Sequence, residues 1–341
     1  MKLPIVDAHL DMAYNVQKGR DLTLTAEEVR QKEKREEQSC MVTLPELRRG
    51  EVALVCASIF VSPDPFPETV DIEFDAKRAG AAKEQVETYL SWERDGHARI
   101  IRSAPALKEH LEAWQADGTP GVVIAMESSE YIESPEELGW WFDQGVRMIG
   151  TAWGPTRYCG GFAGARGQET AFTPLGRELL KGMKELGIPL DLAHGSVTGW
   201  LEGIDSDLSH VVCTHTVPRE LAGRERFPDA KMRSALAKRG GMIGIGLGTG
   251  FLVKREPESG PVEPVSLSVA GDVLEMMSAS AGWDHLGIGS DLDGGIGVEE
   301  SPIELESVAD IHKVGDYVPK EVRAGVLGGN WIRFFEEALP K

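Results

Sequence analysis

Residues 5–11, Ile5-Val6-Asp7-Ala8-His9-Leu10-Asp11, form a short apolar run that closes on two polar residues one position apart. Seven runs of similar length follow, at 53–60 (ALVCASIF), 121–127 (GVVIAME), 146–153 (VRMIGTAW), 188–194 (IPLDLAH), 210–216 (HVVCTHT), 242–248 (MIGIGLG) and 285–291 (HLGIGSD). All eight are nearly continuous in apolar residues, the pattern of parallel strands covered on both faces. The segments between them are long enough for a helix and its loops. Four of them, at 71–92, 174–186, 229–238 and 268–280, place apolar residues three or four apart with charges between. A strand and then a helix, eight times over, predicts an α/β fold of the (β/α)8 TIM barrel type, filling residues 1–341 as one domain with a C-terminal helix. An open doubly wound sheet is the alternative reading of the same pattern.

The surface charge narrows the partners. Fifty-five acidic against 36 basic residues give a formal net charge of −19, which repels nucleic acid and anionic membranes at long range. No run is long and apolar enough to span a bilayer. The opening MKLPIVDAHLD lacks a basic segment followed by an apolar stretch, so no secretory signal is expected. Cys40, Cys56, Cys159 and Cys213 make no C-x-x-C pair. Cys56 and Cys213 fall inside apolar runs and are expected as core thiols, which points to a reducing, cytoplasmic location. The charged run 27–37 (EEVRQKEKREE) reads as a solvated helix face. The stretch 253–264 (VKREPESGPVEP), rich in Pro and Gly after the seventh run, reads as a mobile loop at the active face.

In a barrel of this kind the functional side chains stand at the C-terminal ends of the strands. There the first run ends in His9 and Asp11, whose period-2 spacing turns both to one face. The third run closes on Glu127, the fifth on His194, the sixth on His215 and the eighth on Asp291. The other five histidines lie elsewhere: His97, His110 and His312 in polar segments, His210 and His285 at the starts of their runs, so surface or structural roles are expected. Imidazole and carboxylate are the ligands of catalytic zinc, and five exceed what one such ion takes from protein. Two metals are implied, with the carboxylate of Glu127 as the natural shared ligand, the His9/Asp11 pair completing one ion and the His194/His215 pair the other. Such a site lowers the pKa of a bridging water and polarises a carbonyl or phosphoryl oxygen. Asp291 is placed to take the proton of the attacking water, with Asp293 competing for that role or orienting a neighbour.

With these residues in place, the chain resembles the membrane (renal) dipeptidase family, peptidase family M19, among the metal-dependent amidohydrolases. The resemblance spans nearly the whole chain and rests on D-A-H-L-D at 7–11, Glu127, L-D-L-A-H at 190–194, T-H-T at 214–216, G-I-G-S-D-L-D-G at 287–294 and G-G-N-W at 328–331. It implies a metal-dependent hydrolase barrel that cleaves dipeptides. It also implies two Zn2+ ions on His9, Asp11, Glu127, His194 and His215, Asp291 as acid/base, a closing segment in which Asn330 hydrogen-bonds near the site, and a homodimer as a common assembly.

Two places depart from the family pattern. Where relatives carry a substrate-contacting histidine within a pattern like L-T-H, this chain reads Thr151-Ala152-Trp153, and Trp153 offers a single N–H donor. Where they carry an arginine for the substrate carboxylate in a segment like R-N-x-x-D, this chain has R-E-R-F-P-D at 224–229, so Arg224 and Arg226 compete and Arg226 is favoured. The expected function is a zinc-dependent, dipeptidase-like hydrolase acting on a small dipeptide or related amide through a metal-bridged hydroxide. Hydrolysis of a lactone, cyclic imide or phosphoester is the first alternative, and a metal-binding barrel without catalysis the second.

Overall fold

The computed structural model describes residues 2–33, 38–64, 66–67, 69–162, 170–253 and 263–341. Most of the loop expected at 253–264 lies outside these residues, as do 34–37 of the charged run. Nine strands run in chain order: β1 (Ile5–Leu10), β2 (Val52–Ile59), β3 (Arg99–Ile100), β4 (Gly121–Met126), β5 (Val146–Gly150), β6 (Leu190–Asp191), β7 (Val211–Thr216), β8 (Ile243–Ile245) and β9 (Leu286–Ile288). Eight of them fall on the eight apolar runs.

All pairings are parallel, and they close on themselves: β1–β2–β4–β5–β6–β7–β8–β9 and back to β1. The extra strand, β3, is only two residues long. It pairs with Gly121 and Val122 at the start of β4, beside a stretch that β5 reaches only at Ile124. Helices Ala76–Arg94, Pro174–Leu186, Ala230–Lys238 and Ser268–Ala281 occupy the four segments read as amphipathic. Their ends follow local chemistry. Thr173 accepts from the N–H of Gly176 with Pro174 in the first turn, and Gly187 closes that helix at φ 68°. Asp229 caps the next by accepting from Met232.

Strand side chains divide between two apolar clusters. Val6, Ala8, Leu54, Cys56, Val123 and Ala125 pack inside the ring, above Trp331, Phe334 and Phe335 of the last helix (Asn330–Ala338), which plugs its lower end. Their strand neighbours Ile5, Val55, Ala57, Val122 and Ile124 pack outward against the helices. On β1 this alternation switches: Ala8 is inside while Leu10, two residues on, is outside. The switch coincides with a shift in the pairing of β1 with β2 between Asp7 and Leu10, and it turns His9 and Asp11 toward the ring's upper mouth. All four cysteines are free and buried. No helix among the described residues is long and apolar enough to cross a membrane.

Candidate metal centre

The strand ends bring the five expected ligands together. Oε1 of Glu127, one residue beyond β4, lies 3.0 Å from Nε2 of His194, 3.6 Å from Nε2 of His9 and 4.0 Å from Nε2 of His215. The His194 and His215 Nε2 atoms are 2.6 Å apart, and the His9 and His215 rings lie against each other, tilted by 38° with centroids at 3.9 Å. His9 Nε2 is 3.8 Å from Asp11 Oδ1 and 3.9 Å from Asp291 Oδ1. Two groups of donor atoms, His9/Glu127/His215 and His9/Asp11/Asp291, are each compact enough to hold an ion.

The backbone is held in unusual shapes to achieve this. His194 and Asp291 both have left-handed φ, 62° and 61°, and so does Asp293 at 64°. Such conformations are costly for non-glycine residues and gather at functional sites. Gly294 makes room beside them: a Cβ there would lie 2.0 Å from Asp291 Oδ1 and 2.9 Å from Asp11 Oδ2.

Electrostatics makes the donor set a fit for cations. Burial drives the pKa of His9 down to about 3 and those of His194 and His215 well below the ordinary range, so all three imidazoles are neutral with lone pairs to offer. Burial also raises the carboxyl groups: Asp11 to about 6, and Glu127 and Asp291 further, each pushed by the neighbouring acids as well. The hydroxyl of Ser58, at the end of β2, donates to Asp11 and works against that rise. His9 Nε2 and Glu127 Oε2 are buried with no hydrogen-bond partner, an expensive state for polar atoms that a bound cation relieves. Neutral imidazoles among crowded carboxylates are a donor set that fits a divalent metal.

Above this cluster opens a cavity of 520 Å³, lined by Asp11, Glu127, Trp153, His194, Arg226 and Asp291 among others. Arg226 is half-buried, its guanidinium packed over Phe162 (4.9 Å), Phe227 (4.6 Å) and Phe251 (5.6 Å). Burial brings its pKa to about 10 against the pull of Asp291 and Glu127, so it stays cationic. Arg224 is exposed and does not line the cavity. Trp153 packs against Phe60, Phe66 and Phe162 at 5.1–5.4 Å and reaches to 6.0 Å from His194.

Two expectations need correction. Asn330 is not at the site: its Nδ2 donates to the carbonyls of Trp283 and Leu286, at the entry to β9 and the opposite end of the barrel from His194 and Asp291. It anchors the plugging helix. Asp293 is not a rival acid/base, because its carboxylate accepts from the N–H groups of Met41 and Val42 and pairs with Arg20 at 3.1 Å, tying the 38–42 segment to the site's rim. Ser58 and the aromatic residues Phe60 and Phe162 went unnoticed in the sequence. Ser58 had a signal, a lone hydroxyl near the end of an apolar run; Phe162 lies in a connection whose path the sequence does not reveal.

Known proteins of similar sequence and fold point to one family. The profile of the membrane dipeptidase family (peptidase family M19) matches residues 1–339. Dipeptidase tcpJ of Claviceps purpurea is 27% identical over 173 residues, 48% of this chain and 38% of that protein, so the match spans well under half of that relative's length. An uncharacterized dipeptidase of Schizosaccharomyces pombe is 23% identical over 314 residues, 86% of this chain and 71% of that one. Among solved structures, a metallo peptidase of family M19 described as dipeptidase AC superposes with a TM-score of 0.81 at 21% identity, covering 100% of both chains. A metallo peptidase from Rhodobacter sphaeroides, liganded with a phosphinate mimic of the dipeptide L-Ala-D-Ala, gives 0.80 at 20% identity, covering 99% of this chain and 100% of that one. The chain belongs to the membrane dipeptidase family, peptidase family M19, and is a metal-dependent hydrolase.

Proposed function

We propose that this chain hydrolyses dipeptides, or closely related small amides, with two Zn2+ ions held by His9, Asp11, Glu127, His194 and His215. The observation that supports this most is the convergence of three imidazole nitrogens on one buried glutamate whose second oxygen has no partner. Glu127 Oε1 lies within 3.0–4.0 Å of Nε2 of His9, His194 and His215, so its carboxylate would be the ligand shared between the two ions. When bound, the ions polarise the scissile carbonyl and lower the pKa of a water molecule.

The remaining steps belong to side chains of this protein. Asp291, whose Oδ1 stands 3.9 Å from His9 Nε2 at the edge of the cluster, takes the proton from the attacking water and passes it to the leaving amine. Arg226 holds the substrate carboxylate, its plane fixed by the aromatic rings on which it lies. Trp153, with Phe60 and Phe162, supplies an apolar wall beside His194 and shields the reacting bond from bulk water. The ligand of the Rhodobacter sphaeroides relative favours a D-configured C-terminal residue among the first substrates to try.

One observation favours a second reading. Trp153 stands where a histidine would help polarise the carbonyl of a peptide, and a pocket without that contact suits a different bond, in a lactone, cyclic imide or phosphoester. Purified, Zn2+-loaded protein given panels of dipeptides, including D-amino-acid C-termini, and of these other substrates separates the two. Dipeptide turnover abolished by chelation and by Asp291→Asn is expected, and Trp153→His raises it if the pocket descends from a histidine-bearing peptidase. Turnover confined to the other panels would replace the first reading with the second.

A further inference from the structure

Two residues of the strand-end motifs have no part in the roles above: Asp191, three positions before His194, and Thr214, next to His215. Asp191 is buried on β6, opposite Val212 of β7. Its Oδ1 accepts from the backbone N–H groups of Ala193 (3.0 Å) and Thr214 (2.9 Å), and its Oδ2 accepts from the Thr214 hydroxyl at 2.5 Å. The same hydroxyl oxygen lies 3.1 Å from Nδ1 of His215. Thr214 is itself pinned, since Gly244 and Gly289 leave no space for a side chain against its carbonyl oxygen.

These contacts set a direction. A carboxylate has acceptors only, so the hydroxyl proton of Thr214 points to Asp191 and Oγ1 turns a lone pair toward His215. Nδ1 of His215 then carries the ring proton, and Nε2, the atom that faces His194 and Glu127, is left with its lone pair. We infer that Asp191, acting through the Thr214 hydroxyl, is a positioning residue that fixes the tautomer and ring orientation of His215 and so presents its Nε2 to a cation. The inference rests on the metal-site reading given above. It also explains why a carboxylate is kept buried here without touching the cavity: the tautomer of a ligating histidine is set by whatever its other nitrogen meets.

Asp191→Asn is the sharp variant. The two backbone N–H groups hold the amide oxygen at the Oδ1 position, so the amide nitrogen takes the Oδ2 position and donates to Thr214 Oγ1. The threonine proton is thereby redirected to His215 Nδ1, and the ring is driven to the opposite tautomer. Two measurements test this. In the metal-free protein at neutral pH, 15N NMR should show His215 protonated at Nδ1 in the wild type and at Nε2 in Asp191→Asn. In competition with a chromophoric chelator, Asp191→Asn and Thr214→Val should each bind Zn2+ about 10- to 100-fold more weakly, while Thr214→Ser, which keeps the hydroxyl, stays close to wild type. Thr214→Val binding as tightly as wild type, or a wild-type His215 protonated at Nε2, overturns the inference. Melting curves of the metal-free variants identify one that fails to fold, and the wild-type tautomer decides without any variant. Wild-type protein that keeps the Nδ1–H tautomer but takes up no Zn2+ overturns the metal-site reading instead.

Discussion

Gly294→Ala is the smallest change that should silence this site while leaving the fold in place. Its added Cβ falls 2.0 Å from Asp291 Oδ1, against a comfortable carbon–oxygen separation of roughly 3.4 Å. The Asp291 carboxylate therefore has to retreat by more than about 1 Å, which a short side chain achieves by rotating. A displacement of that size at a reacting group costs about 100-fold in rate, or about 2.7 kcal/mol of transition-state stabilisation. The backbone raises no objection, since Gly294 is not among the glycines with positive φ. Its neighbour Gly295, at φ 86° with nothing near its missing Cβ, is the contrasting case: Gly295→Ala should cost about 1–2 kcal/mol of stability through strain. Steady-state kinetics on the best dipeptide, with melting curves and elemental analysis, reads the effect. The last measurement is needed because the new Cβ also lies 2.9 Å from Asp11 Oδ2. Full metal content, an unchanged melting temperature and wild-type kcat/KM would together refute the role given to Asp291.

Other consequences follow from the same geometry. Arg226→Met should raise KM for dipeptides and lower kcat/KM by about 10- to 100-fold, the loss of one charge-assisted contact of about 1.5–3 kcal/mol; an N-terminally identical substrate with an amidated C-terminus should lose little between the two proteins. Asn330→Ala strands the carbonyls of Trp283 and Leu286 and should cost about 1–3 kcal/mol in chemical denaturation, with KM unchanged. His110 is buried, with Nε2 donating to the Ala53 carbonyl at 2.8 Å, and burial lowers its pKa. The unfolded chain then binds a proton that the folded one refuses, so its contribution to stability is complete above about pH 6.5 and falls away below it, by at most about 1.4 kcal/mol per pH unit. Denaturation midpoints of wild type and His110→Gln at pH 7.5 and 5.5 should converge toward the acid end.

The parts of the molecule legible in the sequence are those governed by local rules. Strands buried on both faces leave continuous apolar runs, and eight such runs became the eight strands of the closed ring. Polar residues that interrupt those runs at their ends, His9, Glu127, His194 and His215, stand out because burial there has no packing rationale. What the sequence left obscure depends on where the chain goes after a strand. Asn330 opens the last helix, well beyond the last strand and after several short helical segments, and only the fold shows that this helix turns under the barrel. The aromatic wall gathers Phe60 from the connection after β2 and Trp153 and Phe162 from the one after β5, and no spacing in the sequence links the two connections. β3 escaped notice for a plainer reason: two residues carry no period.

The choice between Arg224 and Arg226 shows the division well. Both sit in the same polar segment, two positions apart, and local chemistry cannot rank them. The packing of Phe162, Phe227 and Phe251 does so by drawing one guanidinium over the cavity and leaving the other in solvent.

The proposal of a two-metal dipeptidase meets its most direct test in a metal titration of the chelated protein, with hydrolysis of L-Ala-D-Ala followed as Zn2+ is added back. Activity should be absent in the chelated form and rise to a plateau at two equivalents per chain. Hydrolysis by fully chelated protein, or none of this or any other dipeptide after two ions have bound, would contradict it.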